Sequence, residues 1–219
     1  MEDGSMAFFD ALQAATAGER AQLLAAPAIA ECLAGRVTRA RYVAFLREAY
    51  HHVKHTVPLL MACGSRLSED RAALREAVAQ YIAEESGHER WILEDLRACG
   101  DDPEAARASQ PGLATELMVA YVYDYVARVN PAGMLGMVHV LEGTSTALAT
   151  RAADSIARAL RLPAEAFTYL ASHGSLDQEH VKFFEKTVNA LDPADQRHVT
   201  HVARSVYRLY GDIFRGLPS

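Results

Sequence analysis

The stretch His173-Gly-Ser-Leu-Asp177-Gln-Glu-His180 carries three good metal ligands in the pattern His-x3-Asp-x2-His. On an α-helix, positions i, i+4 and i+7 fall within an arc of roughly 60° and share one face. The composition gives about 0.02 expected chance occurrences of this pattern. We interpret it as a metal-binding motif rather than as a polar helix start with two solvated histidines. The same face continues through apolar residues and is expected to point into the core: Phe184, Val188 and Leu191.

The composition limits the classes of function. Half of the 219 residues are hydrophobic, so a sizeable core is feasible, and the formal net charge is −6. An acidic chain without a basic cluster argues against nucleic-acid binding. No apolar run is long enough to span a bilayer, so no membrane partner is expected. The cysteines, Cys32, Cys63 and Cys99, form neither a Cys-x2-Cys pair nor a disulfide framework, which predicts a reducing cytoplasm.

Helical patterns run through nearly the whole chain and predict one all-α domain, a single helical bundle of about seven helices. Residues 1–5 look like a cloning remnant, with Met6 as the expected native start, and the domain is expected to cover 6–219. A long helix is predicted from Thr38 to about Leu67, kinked by Pro58. The other helices are predicted over the following approximate ranges: 8–34 with a break at 26–27, 68–99, 113–128, 130–162, a short one ending near 171, one ending near 191, and 192–214.

The predicted third helix supplies a second candidate metal motif. Glu85 and His88, at spacing i, i+3, fall inside its apolar stripe, and this Glu-x2-His spacing is used in di-iron carboxylate bundles. Glu84 lies at the edge of the stripe, so Glu85 is preferred as the ligand. A carboxylate and an imidazole are costly to bury without a partner. They are expected to bind a metal or, alternatively, to hydrogen-bond to each other.

The predicted fifth helix supplies a third candidate. Glu142 lies near the centre of one of its faces, with His139 one turn earlier. Small residues flank it and allow a neighbouring backbone or a ligand to come close: Gly133, Gly136 and Gly143. The alternative role for Glu142 is to pair with a buried arginine or lysine.

Together the three helices offer three carboxylates and three imidazoles, which suit two metal ions with open coordination positions. Mixed carboxylate and imidazole ligation without thiolate favours iron, with manganese as the second choice, over zinc. A single-metal site with two histidines and one carboxylate is the lesser variant. The candidate ligands are Glu85, His88, Glu142, His173, Asp177 and His180.

Four local motifs carry a family resemblance: Phe45-Leu-Arg-Glu-Ala-Tyr-His-His52, Glu84-Glu-Ser-Gly-His88, Val140-Leu-Glu-Gly143 and the terminal metal motif. Their order resembles the haem-oxygenase-like di-iron oxidases and oxygenases, a superfamily that includes UndA, CADD, TenA and PqqC. The resemblance implies that the six candidates are iron ligands and that no haem is bound. Ala152 replaces a catalytic lysine of CADD, which argues against self-sacrificing p-aminobenzoate synthesis.

The expected function is that of an enzyme in which two iron ions use dioxygen to oxidise a small organic substrate, with Glu142 as a bridging, catalytic carboxylate. By the resemblance, a homodimer is expected. Two alternatives stay open: a TenA-like hydrolase of thiamin fragments, which needs a nucleophilic cysteine, and a non-catalytic binding protein of the same fold. Five residues are candidates for binding substrate: Tyr50, His52, Tyr81, His139 and Arg151.

Overall fold

The structure, a computed structural model, describes residues 6–175 and 177–219, and the side chains of these residues except 173–179. The described residues contain helices and no strand, which confirms the predicted all-α class. The helical segments outnumber the predicted seven. In chain order they are α1 Phe8–Ala15, α2 Ala17–Leu24, α3 Pro27–Leu33, α4 Arg39–Val53, α5 Thr56–Gly64, α6 Ala72–Glu85, α7 His88–Ala98, α8 Pro103–Ala108, α9 Leu113–Arg128, α10 Met134–Leu160, α11 Thr168–Ser175, α12 Asp177–Asn189 and α13 Pro193–Arg215.

The prediction of one kinked helix from Thr38 to Leu67 is wrong. Thr38 does cap α4, and its Oγ1 accepts a hydrogen bond from the backbone N–H of Arg41 at 3.1 Å. The chain then leaves the helix after Val53 and starts α5 at Thr56, so Pro58 lies in the first turn of a new helix. A proline is tolerated there, because the first-turn N–H groups have no partner within the helix.

The predicted third helix is also divided, at Ser86 and Gly87. Gly87 has φ +98°, in the left-handed region that glycine adopts without steric cost. Glu85 is therefore the last residue of α6, and His88 is the first residue of α7. The two candidate ligands sit on either side of a turn instead of on one continuous helical face.

The centre of the fold is the long helix α10, which packs against α11 and α13. Gly136 allows the crossing with α13, since a Cβ atom there would lie 2.6 Å from the carbonyl oxygen of Val199 and 2.7 Å from the amide nitrogen of Ala203. Gly143, on the same helix, faces open space. The close approach expected of the small residues thus occurs at Gly136 and not at Gly143. None of the described helices is both long and apolar enough to cross a bilayer.

A buried carboxylate fixes the start of α11. Asp95 on α7 is fully buried and accepts hydrogen bonds from the backbone N–H groups of Thr168, at 2.9 Å, and Tyr169, at 3.0 Å. These are first-turn donors that have no partner within their own helix. Burial raises the pKa of Asp95 to about 6. One residue of α7 therefore sets the position of the helix that carries Tyr169.

Near pH 4, replacing Asp95 with asparagine is expected to lower the free energy of unfolding by roughly 1–3 kcal/mol, because the amide NH2 group that replaces one carboxyl oxygen cannot accept a hydrogen bond. The folded chain holds the Asp95 proton to about pH 6, whereas the unfolded chain releases it near pH 4. The stability that this proton contributes is thus present below about pH 4 and is lost as pH rises through 6. The difference in the free energy of unfolding between wild type and variant should therefore become smaller as the pH rises from 4 to 6.

Urea unfolding of both proteins from pH 4 to 7.5 measures this gap. The matched control is Asp154→Asn, at an exposed position of α10, which should change stability little at any pH. A gap that widens with pH would contradict the account of Asp95.

Candidate metal centre

A cavity lies between α10 and the helices around it, and we call it the acidic cavity. It encloses about 560 Å³ of empty space, part of it open to solvent. Its apolar wall comes mainly from α5 and α10, including Leu60, Met137 and Leu141. Its polar and aromatic lining residues come from α4, α6, α10, α11 and α13: His52, Tyr81, Glu85, Glu142, Tyr169 and Tyr210. Two of the predicted ligands, Glu85 and Glu142, therefore face one space.

Glu85 and His88 meet across the turn at Gly87. The Nδ1 atom of His88 lies 3.0 Å from Oε2 of Glu85, and His88 is 4% exposed. The His88 ring stacks on Trp91, with ring centroids 4.3 Å apart. Both side chains point inward, as predicted, but a turn and not a continuous helical stripe brings them together. Such a pair can act as two ligands or as a hydrogen-bonded unit.

Glu84 faces His180, the last residue of the terminal metal motif. The Oε2 atom of Glu84 lies 3.6 Å from Nε2 of His180, which is too far for a hydrogen bond. This oxygen is shielded from solvent and accepts no hydrogen bond from the described residues. Glu85 was preferred over Glu84 from the sequence, whereas the structure places an oxygen of each carboxylate beside an imidazole. A shielded carboxylate oxygen beside an imidazole is a geometry that a bridging cation would satisfy.

The Tyr81 side chain lies among these carboxylates. It is 1% exposed, and its hydroxyl forms no hydrogen bond with the described residues. Burial, and then the nearby charges of Glu142, Glu84 and Glu85, raise the pKa of Tyr81, so the phenol keeps its proton. A neutral phenol that lines the acidic cavity is a hydrogen-bond donor for whatever occupies that space.

Of the other predicted substrate-binding residues, His52 lines the acidic cavity and three do not. Tyr50 packs in the core beneath the ammonium group of Lys54. His139 is buried elsewhere, with its Nε2 3.4 Å from the Thr16 hydroxyl, and burial lowers its pKa to about 4. Arg151 is exposed. The His139 ring packs against Phe184 of α12 and Tyr207 of α13, although the spacing of three residues from Glu142 predicts a shared helix face.

The terminal motif is only partly described. His180 belongs to α12, while the side chains of His173 and Asp177 lie outside the described residues. Among the side chains that the structure does describe, no group of three or more histidines, cysteines, aspartates or glutamates gathers closely enough to hold a metal ion. The described part of the candidate site therefore consists of two carboxylate–imidazole pairs, Glu85 with His88 and Glu84 with His180.

The sequence of residues 43–211 matches the sequence model of a protein family described as iron-containing redox enzyme, of the haem oxygenase type. This match covers most of the chain. The chain belongs to this family. No curated protein sequence matches the chain significantly.

Solved structures place this family member among haem-oxygenase-like folds. A domain of unknown function with that fold from Shewanella denitrificans has a TM-score of 0.84 and 25% identity, over 95% of this chain and 90% of that one. A TenA homologue from Pseudomonas syringae has a TM-score of 0.77 and 10% identity, over 95% of this chain and 91% of that one. The haem oxygenase of Leptospira interrogans has a TM-score of 0.76 and 16% identity, over 97% of this chain and 100% of that one. The last two likenesses show the fold alone.

The residues of the acidic cavity fit the iron that the family description implies. Carboxylate oxygens and imidazole nitrogens are ligands that iron and manganese accept, and no described thiolate lines the cavity. The unsatisfied hydroxyl of Tyr81 in the cavity, and the shielded Oε2 atom of Glu84 beside His180, are polar groups that a bound cation and its ligands would satisfy. The donor set is thus chemically suited to iron.

Proposed function

We propose that this protein is a non-haem di-iron oxidase or oxygenase that uses dioxygen to oxidise a small organic substrate. The observation that carries the proposal is the pair of carboxylate–imidazole contacts, Glu85 with His88 and Glu84 with His180. Their side chains come from α6, α7 and α12, and Glu142 of α10 lines the same cavity as Glu85. Convergence of acids and imidazoles from separate helices is the architecture of carboxylate-bridged di-iron bundles.

In this proposal the iron ligands are the six residues predicted from the sequence, with Glu84 added as a seventh candidate: Glu84, Glu85, His88, Glu142, His173, Asp177 and His180. Manganese is the alternative metal for the same donors. Iron with open coordination positions supplies the redox chemistry with dioxygen, and the protein supplies binding, orientation and electrostatics.

The chain's own groups have separable tasks. Trp91 holds the His88 ring by stacking, so that the orientation of the imidazole is set before a metal arrives. Glu142 lines the acidic cavity and would supply a carboxylate ligand to the metal ions. The Tyr81 hydroxyl donates a hydrogen bond to the ligand in the acidic cavity. The apolar wall, including Leu60 and Met137, excludes water from this space.

Trp91 is the only tryptophan in the sequence and reports metal binding directly. Because its ring stacks on His88, paramagnetic Mn²⁺ or anaerobic Fe²⁺ bound at that imidazole should quench its fluorescence. We expect the quenching to saturate at about two metal ions per chain. The measurement is a fluorescence titration with the metal content of the saturated sample determined by elemental analysis.

His180→Ala is the informative variant for this titration, since it removes a ligand without touching the Trp91 stack. We expect it to weaken binding at least about tenfold. His201→Ala, at an exposed position of α13, is the matched control and should titrate like the wild type. If neither metal changes the tryptophan fluorescence, the proposal is contradicted.

The TenA-like alternative finds no support in the cysteines. Cys63 is fully buried, its thiol donates a hydrogen bond to the carbonyl of Pro131 at 3.1 Å, and burial raises its pKa to about 12. Burial also raises the pKa of Cys99 to about 11. A thiol that keeps its proton at neutral pH is a poor nucleophile. The di-iron function is therefore the better supported of the two.

A further inference from the structure

A second cavity adjoins the acidic one, and we call it the apolar chamber. It contains about 740 Å³ of empty space, including its open mouth, and lies between α3, α4, α10 and the C-terminal end of α13. Its walls are mainly aliphatic and aromatic side chains, among them Ile29, Val37, Phe45, Leu148, Ile156 and Phe214. Apolar walls of this kind bind a ligand by removing its hydrocarbon surface from water.

Arg41 carries the one full charge among the described residues that line the apolar chamber, and that charge is already engaged. Its guanidinium forms an ion pair with Glu31 and donates a hydrogen bond from Nε to the carbonyl oxygen of Pro218 at 2.6 Å. The Arg41 side chain is 11% exposed. An anionic group entering the chamber would have to share the Arg41 guanidinium with Glu31, which weakens its pairing in an apolar space.

The apolar chamber and the acidic cavity share part of their lining. Ser145 of α10, Tyr169 of α11 and Tyr210 of α13 line both spaces. A single elongated molecule that passes between these shared side chains would lie in the chamber and reach Glu142 and Glu85 with one end. The polarity of the two spaces differs sharply, and this difference orients such a molecule.

We propose that the apolar chamber binds the uncharged hydrocarbon body of an amphipathic small molecule, whose single polar head lies in the acidic cavity. The ligand class is a linear or aryl-substituted hydrocarbon with one polar end, and molecules charged at both ends are rejected. That this ligand is the substrate rests on the proposed di-iron function, whereas the binding itself does not. The test below is therefore run on the full chain in the presence of a chelator and repeated after loading with Mn²⁺.

Cys32 provides a native reporter for occupancy of the chamber. It lines the apolar chamber and is partly exposed, whereas Cys63 and Cys99 are buried. Because burial raises the pKa of the Cys32 thiol, its alkylation by N-ethylmaleimide is followed at mildly alkaline pH by mass spectrometry. Three probes of matched length are compared: decan-1-ol, decanoate and decanedioate.

We expect decan-1-ol, at ten times its dissociation constant, to slow alkylation of Cys32 about tenfold by mass action, with the chelator and with Mn²⁺. Decanoate should protect Cys32 only after loading with Mn²⁺, because its carboxylate head would otherwise lie unpaired beside Glu85 and Glu142. Decanedioate should leave the rate within about twofold of the rate without a probe. Equal protection by decanedioate, or no protection by any probe, would overturn the proposal. If no probe protects Cys32 but the protein still binds two iron ions, only the chamber proposal is overturned. If the probes protect Cys32 as expected but no iron binds, only the di-iron function is overturned.

A variant pair tests the position of the site independently. Ala152→Phe fills the apolar chamber from α10, and isothermal titration calorimetry should show at least about tenfold weaker binding of decan-1-ol. Ala147→Phe adds the same ring at an exposed position of α10 and should bind like the wild type. Unchanged binding in a folded Ala152→Phe protein would show that the ligand lies elsewhere. The alkylation result decides the matter if this variant does not fold.

Discussion

Glu142→Gln is expected to reduce iron-dependent oxygen uptake at least about a hundredfold, because outer-shell changes alone cost tenfold to a hundredfold at metal sites. The substitution keeps the size of the side chain and removes the negative charge that a bridging carboxylate supplies. Stoichiometry should fall from two iron ions per chain to one or none. Oxygen consumption and iron content of anaerobically loaded protein measure both effects.

The control separates charge at the site from charge in general. Glu76→Gln removes a carboxylate from an exposed position of α6, the helix that also carries Glu84 and Glu85, and should leave uptake and iron content unchanged. Glu84→Gln and Glu85→Gln then rank the two adjacent acids as ligands. A Glu142→Gln protein with two iron ions and full oxygen uptake would remove Glu142 from the proposed centre.

The second large effect is on stability. Gly136→Ala is expected to lower the free energy of unfolding by roughly 2–3 kcal/mol, in the range of small-to-large changes in a packed core. The added methyl group would meet the backbone of Val199 and Ala203, at 2.6 and 2.7 Å, and backbone cannot rotate away as a side chain can. Chemical denaturation measures the change, and the slope of the transition shows whether unfolding remains two-state.

Gly143→Ala is the matched substitution seven residues further along α10. A Cβ atom at Gly143 meets nothing within 4 Å, so the variant should gain roughly 0.5–1 kcal/mol from better helix propensity. Opposite signs for the two glycines are the expected result. Two variants of equal stability would mean that the α10–α13 crossing is not as tight as the structure shows.

The fold was predictable where local chemistry decides it. The cap at Thr38 and the capping side chain of Asp192, which accepts a hydrogen bond from the N–H of Asp195 at 2.9 Å, were readable from single residues. The breaks after Val53 and at Gly87 were not, because helical periodicity continues across them. A glycine with a left-handed backbone conformation changes the direction of the chain, but the apolar residues on either side of it keep almost the same sequence spacing as in an uninterrupted helix.

Two of the ligand candidates predicted from the sequence face one cavity, but the way they come together was not predicted. Glu85 was selected because an acid inside an apolar stripe is costly unless it has a partner, and Glu142 because it lies at the centre of a helix face flanked by glycines. Both line the acidic cavity. Glu84 was placed at the edge of a stripe that assumed a continuous helix, so its contact with His180 was missed. The junction with the apolar chamber was beyond prediction, since Tyr169 and Tyr210 converge there only through tertiary packing.

The central claim is that two iron ions lie among the converging carboxylates and imidazoles. Anomalous scattering at the iron edge, from crystals of protein loaded with ferrous iron without oxygen, tests it most directly. The account predicts two anomalous peaks between Glu84, Glu85, Glu142 and His180, with His88 bound to one of the ions. A map with no peak in the acidic cavity, or with iron only at surface side chains, would contradict it.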